Sequence, residues 1–252
     1  AYKKRVFAGN RIGSLRALVA VLVGLAVVFV CVVMQLVHVS RAPGSEREEL
    51  GRKTSLYEYK VYQYLGDYLA SNHAGKSLVV LNFHAMDPPS DSATANLENR
   101  LNGLKAGLAG RMKITEVVYP EIPASGMSIT PATLRTKGAK IYDSMLKGFS
   151  SNTLVLSFIG LPDDYRRMKT WRRSNKKRPK LVLINARFPD VEKMIRNGRI
   201  TATMTVIPDP PKLDFESSDW ADIDFKEAFN KRCVMIDSKV LDQVIAKYPD
   251  LF

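Results

Sequence analysis

Residues that carry chemistry are scarce in this 252-residue chain. It has only two cysteines and three histidines. Cys31 falls inside an apolar run and Cys233 lies near the C-terminus, so no intrachain disulfide framework is expected. His38 and His73 have no neighbouring ligand at metal-site spacing, so no metal is expected either. The chain lacks G-x-G-x-x-G, a Walker loop, G-x-S-x-G and H-E-x-x-H. Those absences point away from an enzyme and away from a cofactor. Two clusters of basic residues have no acid among them, residues 1–16 and residues 166–180.

These two segments explain the net charge of +13. The first carries Lys3, Lys4, Arg5, Arg11 and Arg16, and the second carries nine cations from Arg166 to Lys180. Subtracting +5 and +9 leaves −1, so the rest of the chain is close to neutral. A nucleic-acid partner is therefore not expected.

What the chain does have is a long apolar run, Ala17 to Val37, with no charge and one amide, Gln35. Fourteen of its 21 residues are Leu, Val or Phe. At about 1.5 Å per residue it would span roughly 30 Å as a helix, the thickness of a bilayer core. It is longer than the apolar region of a signal peptide. The basic, acid-free residues before it predict a cytoplasmic N-terminus. The expectation is a single-pass protein of a bacterial cytoplasmic (inner) membrane, with the C-terminal domain exported to the periplasm. Ala20 and Gly24 form a small-xxx-small pair that would let a second helix approach.

The predicted organisation is a basic tail at 1–16, a transmembrane helix at 17–38, a linker with a tyrosine-rich helix at 39–76, and an α/β domain at 77–252. Ser45 stands three residues before Glu48, a capping-box spacing, and apolar residues then recur at helical intervals, predicting a helix over 45–72. Its five tyrosines form either a packing face or a docking patch.

Beyond residue 76 short apolar runs alternate with helical segments. Strands are predicted at 77–83, 113–119, 153–159, 180–185 and 200–207, with helices at 93–110, 131–149, 162–171 and 188–197. Strands apolar along their length and separated by helices indicate an open, doubly wound, mainly parallel sheet of five or six strands with helices on both faces. The core is expected at 77–207. Within the 208–252 extension, Pro208 to Asp224 reads as an extended surface segment, followed by a sixth strand at 233–236 and a last helix at 238–247.

Three passages carry a resemblance. Asn197-Gly198-Arg199-Ile200-Thr201-Ala202-Thr203-Met204, running on to Pro208, resembles the G-x-I-x-A-x-V…P passage of class I periplasmic sugar-binding proteins. Asn96–Gly107 and Ser157–Pro162 are similar to that family too. The resemblance implies the α/β fold. Members of the family close two such lobes on a small ligand, whereas this chain has length for one lobe. No binding residue is carried over, and a small-molecule ligand is not expected.

In an open α/β sheet, ligands gather beyond the carboxyl ends of strands where the strand order reverses. That locus predicts a crevice with His84 and Asp87 after the first strand, and Gly160, Asp163 and Asp164 after the third. A histidine with carboxylates can perform acid–base work. The same acids in a first helical turn can instead be caps. The basic run offers Trp171, Arg172, Arg173, Lys176 and Lys177 either to an acidic partner or anionic headgroups, or to solvent alone. The composite reading is a single-pass accessory subunit of a larger membrane complex, with other membrane proteins and the bilayer as partners. The alternative is a membrane-tethered solute-binding or sensor module.

Overall fold

The structure, a computed structural model, describes residues 44–83, 90–120, 131–185, 190–213, 215 and 220–252. Among these residues no helix is long and apolar enough to cross a membrane; the run at 17–37, with Ala20 and Gly24, lies outside them. The chain divides into two compact units, Ala1–Arg52 and Lys53–Phe252. In the first, the described residues are the helical turns from Gly44 to Arg52. The sheet and its core belong to the second.

Helix α1 (Gly44–His73) leads into β1 (Ser77–Leu81), α2 (Asp91–Leu108) and β2 (Lys113–Val118). Then come α3 (Pro131–Lys137), α4 (Ala139–Met145), β3 (Thr153–Ser157) and β4 (Lys180–Ile184). The chain ends through α5 (Val191–Arg196), β5 (Ala202–Val206), α6 (Phe225–Asn230), β6 (Cys233–Asp237) and α7 (Leu241–Lys247). The six strands form one sheet in the order β2-β1-β3-β4-β5-β6. Its pairings are parallel except β5–β6, which is antiparallel.

The alternation of side chains along a strand divides the core into two. On β1, Leu78 and Val80 join α1 and α2 through Leu65, Leu69, Leu104 and Leu108. Val79 and Leu81 face the other way, toward Leu134, Tyr142, Met145 and, across the sheet, Val191 and Met194. With both faces covered, β1, β3 and β4 are buried along nearly their whole length, which is why they read as continuous apolar runs. Edge strand β2 is more exposed.

Four of the five tyrosines of α1 belong to packing. Tyr57 and Tyr62 are buried, Tyr64 stacks on Phe229 at 4.1 Å, and the Tyr68 hydroxyl donates to Asp237. Lys53 donates to the Phe215 carbonyl at 2.6 Å, and Lys60 donates to the Ala221 carbonyl at 2.8 Å and to Ile223.

Four expectations are corrected. The helix expected at 131–149 is two helices, because the chain steps at Gly138, where a Cβ would stand 1.9 Å from the Leu134 carbonyl oxygen. The helix expected at 162–171 is two 3-10 turns, Tyr165–Arg167 and Lys169–Arg172. Met168 between them is extended (ψ 124°), and the N–H groups of Lys169 and Thr170 go to the Asp143 carboxylate at 2.6 and 2.8 Å rather than to preceding carbonyls. The segment before Asp224 is not simply a surface strap: Trp220 is 2% exposed and meets Tyr57 edge-on at 5.2 Å. A helix not foreseen, α6, starts at Asp224, whose carboxylate accepts from the N–H groups of Lys226 and Glu227.

Candidate ligand site

The strand order reverses between β1 and β3, and their ends are in register, Leu81 beside Ser157. His84 and Asp87 of the expected crevice lie outside the described residues. Gly160 takes a positive φ of 66°, and its carbonyl accepts from the Tyr142 hydroxyl at 2.6 Å and the Ser157 hydroxyl at 2.9 Å. Burial raises the Tyr142 hydroxyl well above the usual phenol range. Asp163 is exposed and ion-paired with Arg135 at 3.3 Å, while Asp164 accepts the N–H of Ala139 at the start of α4. The described groups of this crevice therefore make structural bonds.

The basic run is pinned at both ends. Arg178 is 4% exposed; its Nη2 donates to the Gly198 carbonyl at 2.6 Å, and its guanidinium lies over the Trp171 ring at 5.8 Å. The Trp171 Nε1 in turn donates to the Tyr165 carbonyl at 2.7 Å. Burial, and then the charge of Arg199, lower the Arg178 pKa. Between these pins Arg172, Lys176 and Lys177 are exposed, and Arg173 is half-buried.

A second concavity lies where the first 3-10 turn meets α5. Tyr165, Arg166, Asp190, Lys193, Met194, Asn197 and Arg199 enclose a groove of about 360 Å³. Tyr165 and Met194 are anchored in the core, so they set the position of its wall and floor. The Tyr165 hydroxyl and the Arg166 guanidinium both donate to Oδ2 of Asp190, Arg166 through Nε (2.9 Å) and Nη2. These bonds, that of Tyr165 first, hold the Asp190 carboxyl below the usual carboxylate range. The groove thus holds three cations against one carboxylate, and that carboxylate is already shared by Arg166 and Tyr165.

Lys193 and Arg199 form no ion pair with described residues. By contrast Arg196, which follows Lys193 on α5, is paired with Glu192 at 2.8 Å and with Asp242 at 2.6 Å. Motif and pattern in the sequence do not single out Asp190, Lys193 or Arg199. Lys193 lies on α5, but Arg199 follows its end at Arg196, so helical spacing does not bring the two together in the sequence.

Among the described residues no cluster of His, Cys, Asp and Glu could hold a metal ion. The Cys233 thiol is buried, and burial pushes its pKa to about 11.

No family model and no curated protein matches this sequence. Among solved structures, it is similar to an ABC transporter solute-binding protein from Bradyrhizobium sp. BTAi1 with bound bis-tris, at 15% identity and a TM-score of 0.44, over 77% of this chain and 54% of that one. It is also similar to GanP, a glucose-galactose binding protein from Geobacillus stearothermophilus, at 13% identity and a TM-score of 0.39, over 76% and 55%. A solute-binding protein from Burkholderia graminis C4D1M, in complex with D-arabinose, gives 12% identity and 0.38 over 74% and 60%. The chain spans little more than half the length of these proteins.

Proposed function

We propose that this chain is a membrane-tethered, non-catalytic binding module of the solute-binding or sensor kind, whose single α/β lobe takes a small ligand in the groove beside α5. The observation that carries this reading is a groove lined by three cations, Arg166, Lys193 and Arg199, with one carboxylate among its lining residues, Asp190, which already takes two bonds from Arg166 and one from Tyr165. Uncompensated like charges facing one cavity are unfavourable unless an anion joins them. The volume falls within the range of small-molecule sites, roughly 300–1,000 Å³. The tether is the apolar run at 17–37, with the N-terminus on the cytoplasmic side.

The test is a thermal-shift and calorimetric screen of the full chain in mild detergent against sugars, amino acids and anionic metabolites. A ligand that binds the folded state alone raises stability by RT ln(1 + [L]/Kd). A saturable ligand supports the reading. A silent panel, together with stoichiometric co-purification of other membrane proteins, would replace it with the second reading, an accessory subunit of a larger complex. That reading draws on the exposed Arg172, Lys176 and Lys177, which suit an acidic protein surface.

A further inference from the structure

The groove beside α5 also carries information about the charge and shape of what it takes. We propose that it is a site for a small soluble phosphate monoester, an inference that rests on the small-ligand reading above. Arg166 and Asp190 neutralise each other, which leaves the formal +2 of Lys193 and Arg199 facing the cavity. A phosphate monoester with its second pKa near 6 is a dianion at neutral pH and matches that charge, whereas a carboxylate or a sulfate monoester brings a single charge. Arginine with a second nearby donor suits tetrahedral oxyanions, and the Asn197 side chain supplies a further amide to the same wall. The Arg166 guanidinium is held in place by two bonds to one Asp190 oxygen, so its orientation is set before any ligand arrives. Met194 and Tyr165 lie at the base of the groove but are 2% and 7% exposed, so the cations rather than an apolar surface carry the recognition.

The geometry also separates this site from its surroundings. Arg172, Lys176 and Lys177 belong to the same basic run but do not line the groove. They therefore serve as an internal control for non-specific ionic attraction.

The experiment is calorimetry on the full chain in neutral detergent with four probes: phenyl phosphate, phenyl sulfate, glycerol 3-phosphate and a short-chain phosphatidic acid. Phenyl phosphate and glycerol 3-phosphate are expected to bind saturably at one site per chain, with phenyl sulfate about tenfold or more weaker. Lys193→Gln and Arg199→Gln should each weaken the phosphate esters by about tenfold, the effect of losing one charge-assisted bond. The paired variant Arg172→Gln/Lys176→Gln should leave them unchanged. Unaltered melting temperatures of these surface variants would show that they fold. Equal binding of sulfate and phosphate, or equal losses in the groove and control variants, would overturn the proposal. So would binding of phosphatidic acid without the soluble esters. Saturable binding of a neutral sugar, unaffected by Lys193→Gln, would also overturn it while leaving the sensor reading standing.

Discussion

Gly107 of α2 rests directly on the backbone of Gln63 in α1: a Cβ built on Gly107 would stand 1.8 Å from the Gln63 carbonyl oxygen. One turn earlier the same holds for Gly103, whose Cβ would lie 2.3 Å from the Tyr59 carbonyl oxygen. Gly66 completes the contact from α1, at 2.3 Å from the Leu104 carbonyl oxygen. Two helices meet here backbone to backbone, and the obstacles are carbonyls, which cannot rotate aside.

Gly107→Ala should therefore destabilise the domain by about 1–3 kcal/mol or more, the usual range for overpacking. Gly51→Ala is the control: nothing lies within 4 Å of its Cβ position, and it sits in a helix. Removing that glycine should stabilise by about 0.5–1 kcal/mol. Urea unfolding of both variants checks the pair, and equal behaviour would contradict the close contact.

Trp220→Ala should cost about 3–5 kcal/mol, as expected for a large buried aromatic. The residue is 2% exposed and touches both Tyr57 and Phe215, at 5.2 and 5.3 Å between ring centres. A loss below about 1 kcal/mol in the same unfolding assay would place this tryptophan at the surface.

Lys60→Met removes the donor to the carbonyls of Ala221 and Ile223. The segment before α6 should then be cut faster in limited proteolysis, while cleavage within the sheet stays slow. Unchanged cleavage before Asp224 would mean that the lysine is not what holds this segment.

Cys233 predicts a pH dependence. Burial raises its thiol from 9.0 to about 11, so the folded state favours the neutral form. That contribution is complete below pH 9 and disappears as the pH climbs toward 11, a loss of about 2–3 kcal/mol. The Tyr62 hydroxyl, pushed up to about 12 chiefly by burial, acts in the same direction at higher pH. Denaturation curves between pH 8 and 11 should show the decline, and Cys233→Ala should flatten its first part. A native thiol that alkylates at pH 8 as fast as a free cysteine would contradict the burial.

Much of the fold was legible because the interior strands are covered on both faces. Leu78–Leu81 and Leu181–Ile184 are apolar at every position, and no helical period competes with them. The turn at 162–171 was misread because its N–H groups are taken by Asp143, a residue far behind it in sequence, which no local pattern reveals. The segment from Pro208 to Asp224 reads as surface because its prolines and acids look solvated, although Tyr57 and Phe215 pack on its Trp220. Within the candidate groove, no motif in the sequence marks Lys193, Asp190 or Arg199. The partners Arg166 and Asp190 stand 24 residues apart and meet only because β3 and β4 are neighbours in the sheet. Gly160 and Asp163 fall at the foreseen end of β3, but their bonds are internal.

The hydrogen bond between Tyr68 and Asp237 joins residues 169 apart in sequence, and Lys60 reaches Ile223 across 163. The first helix of the domain is thus completed by its last strand. During synthesis at roughly 5–20 residues per second, Tyr68 waits on the order of 10–30 s before Asp237 is made. For that interval the face of α1 that carries Tyr57, Tyr64 and Tyr68 has no Trp220, Phe229 or Asp237 to meet it. A chaperone that binds emerging apolar helices would find its target in α1, and a truncation before residue 233 would leave that target open permanently.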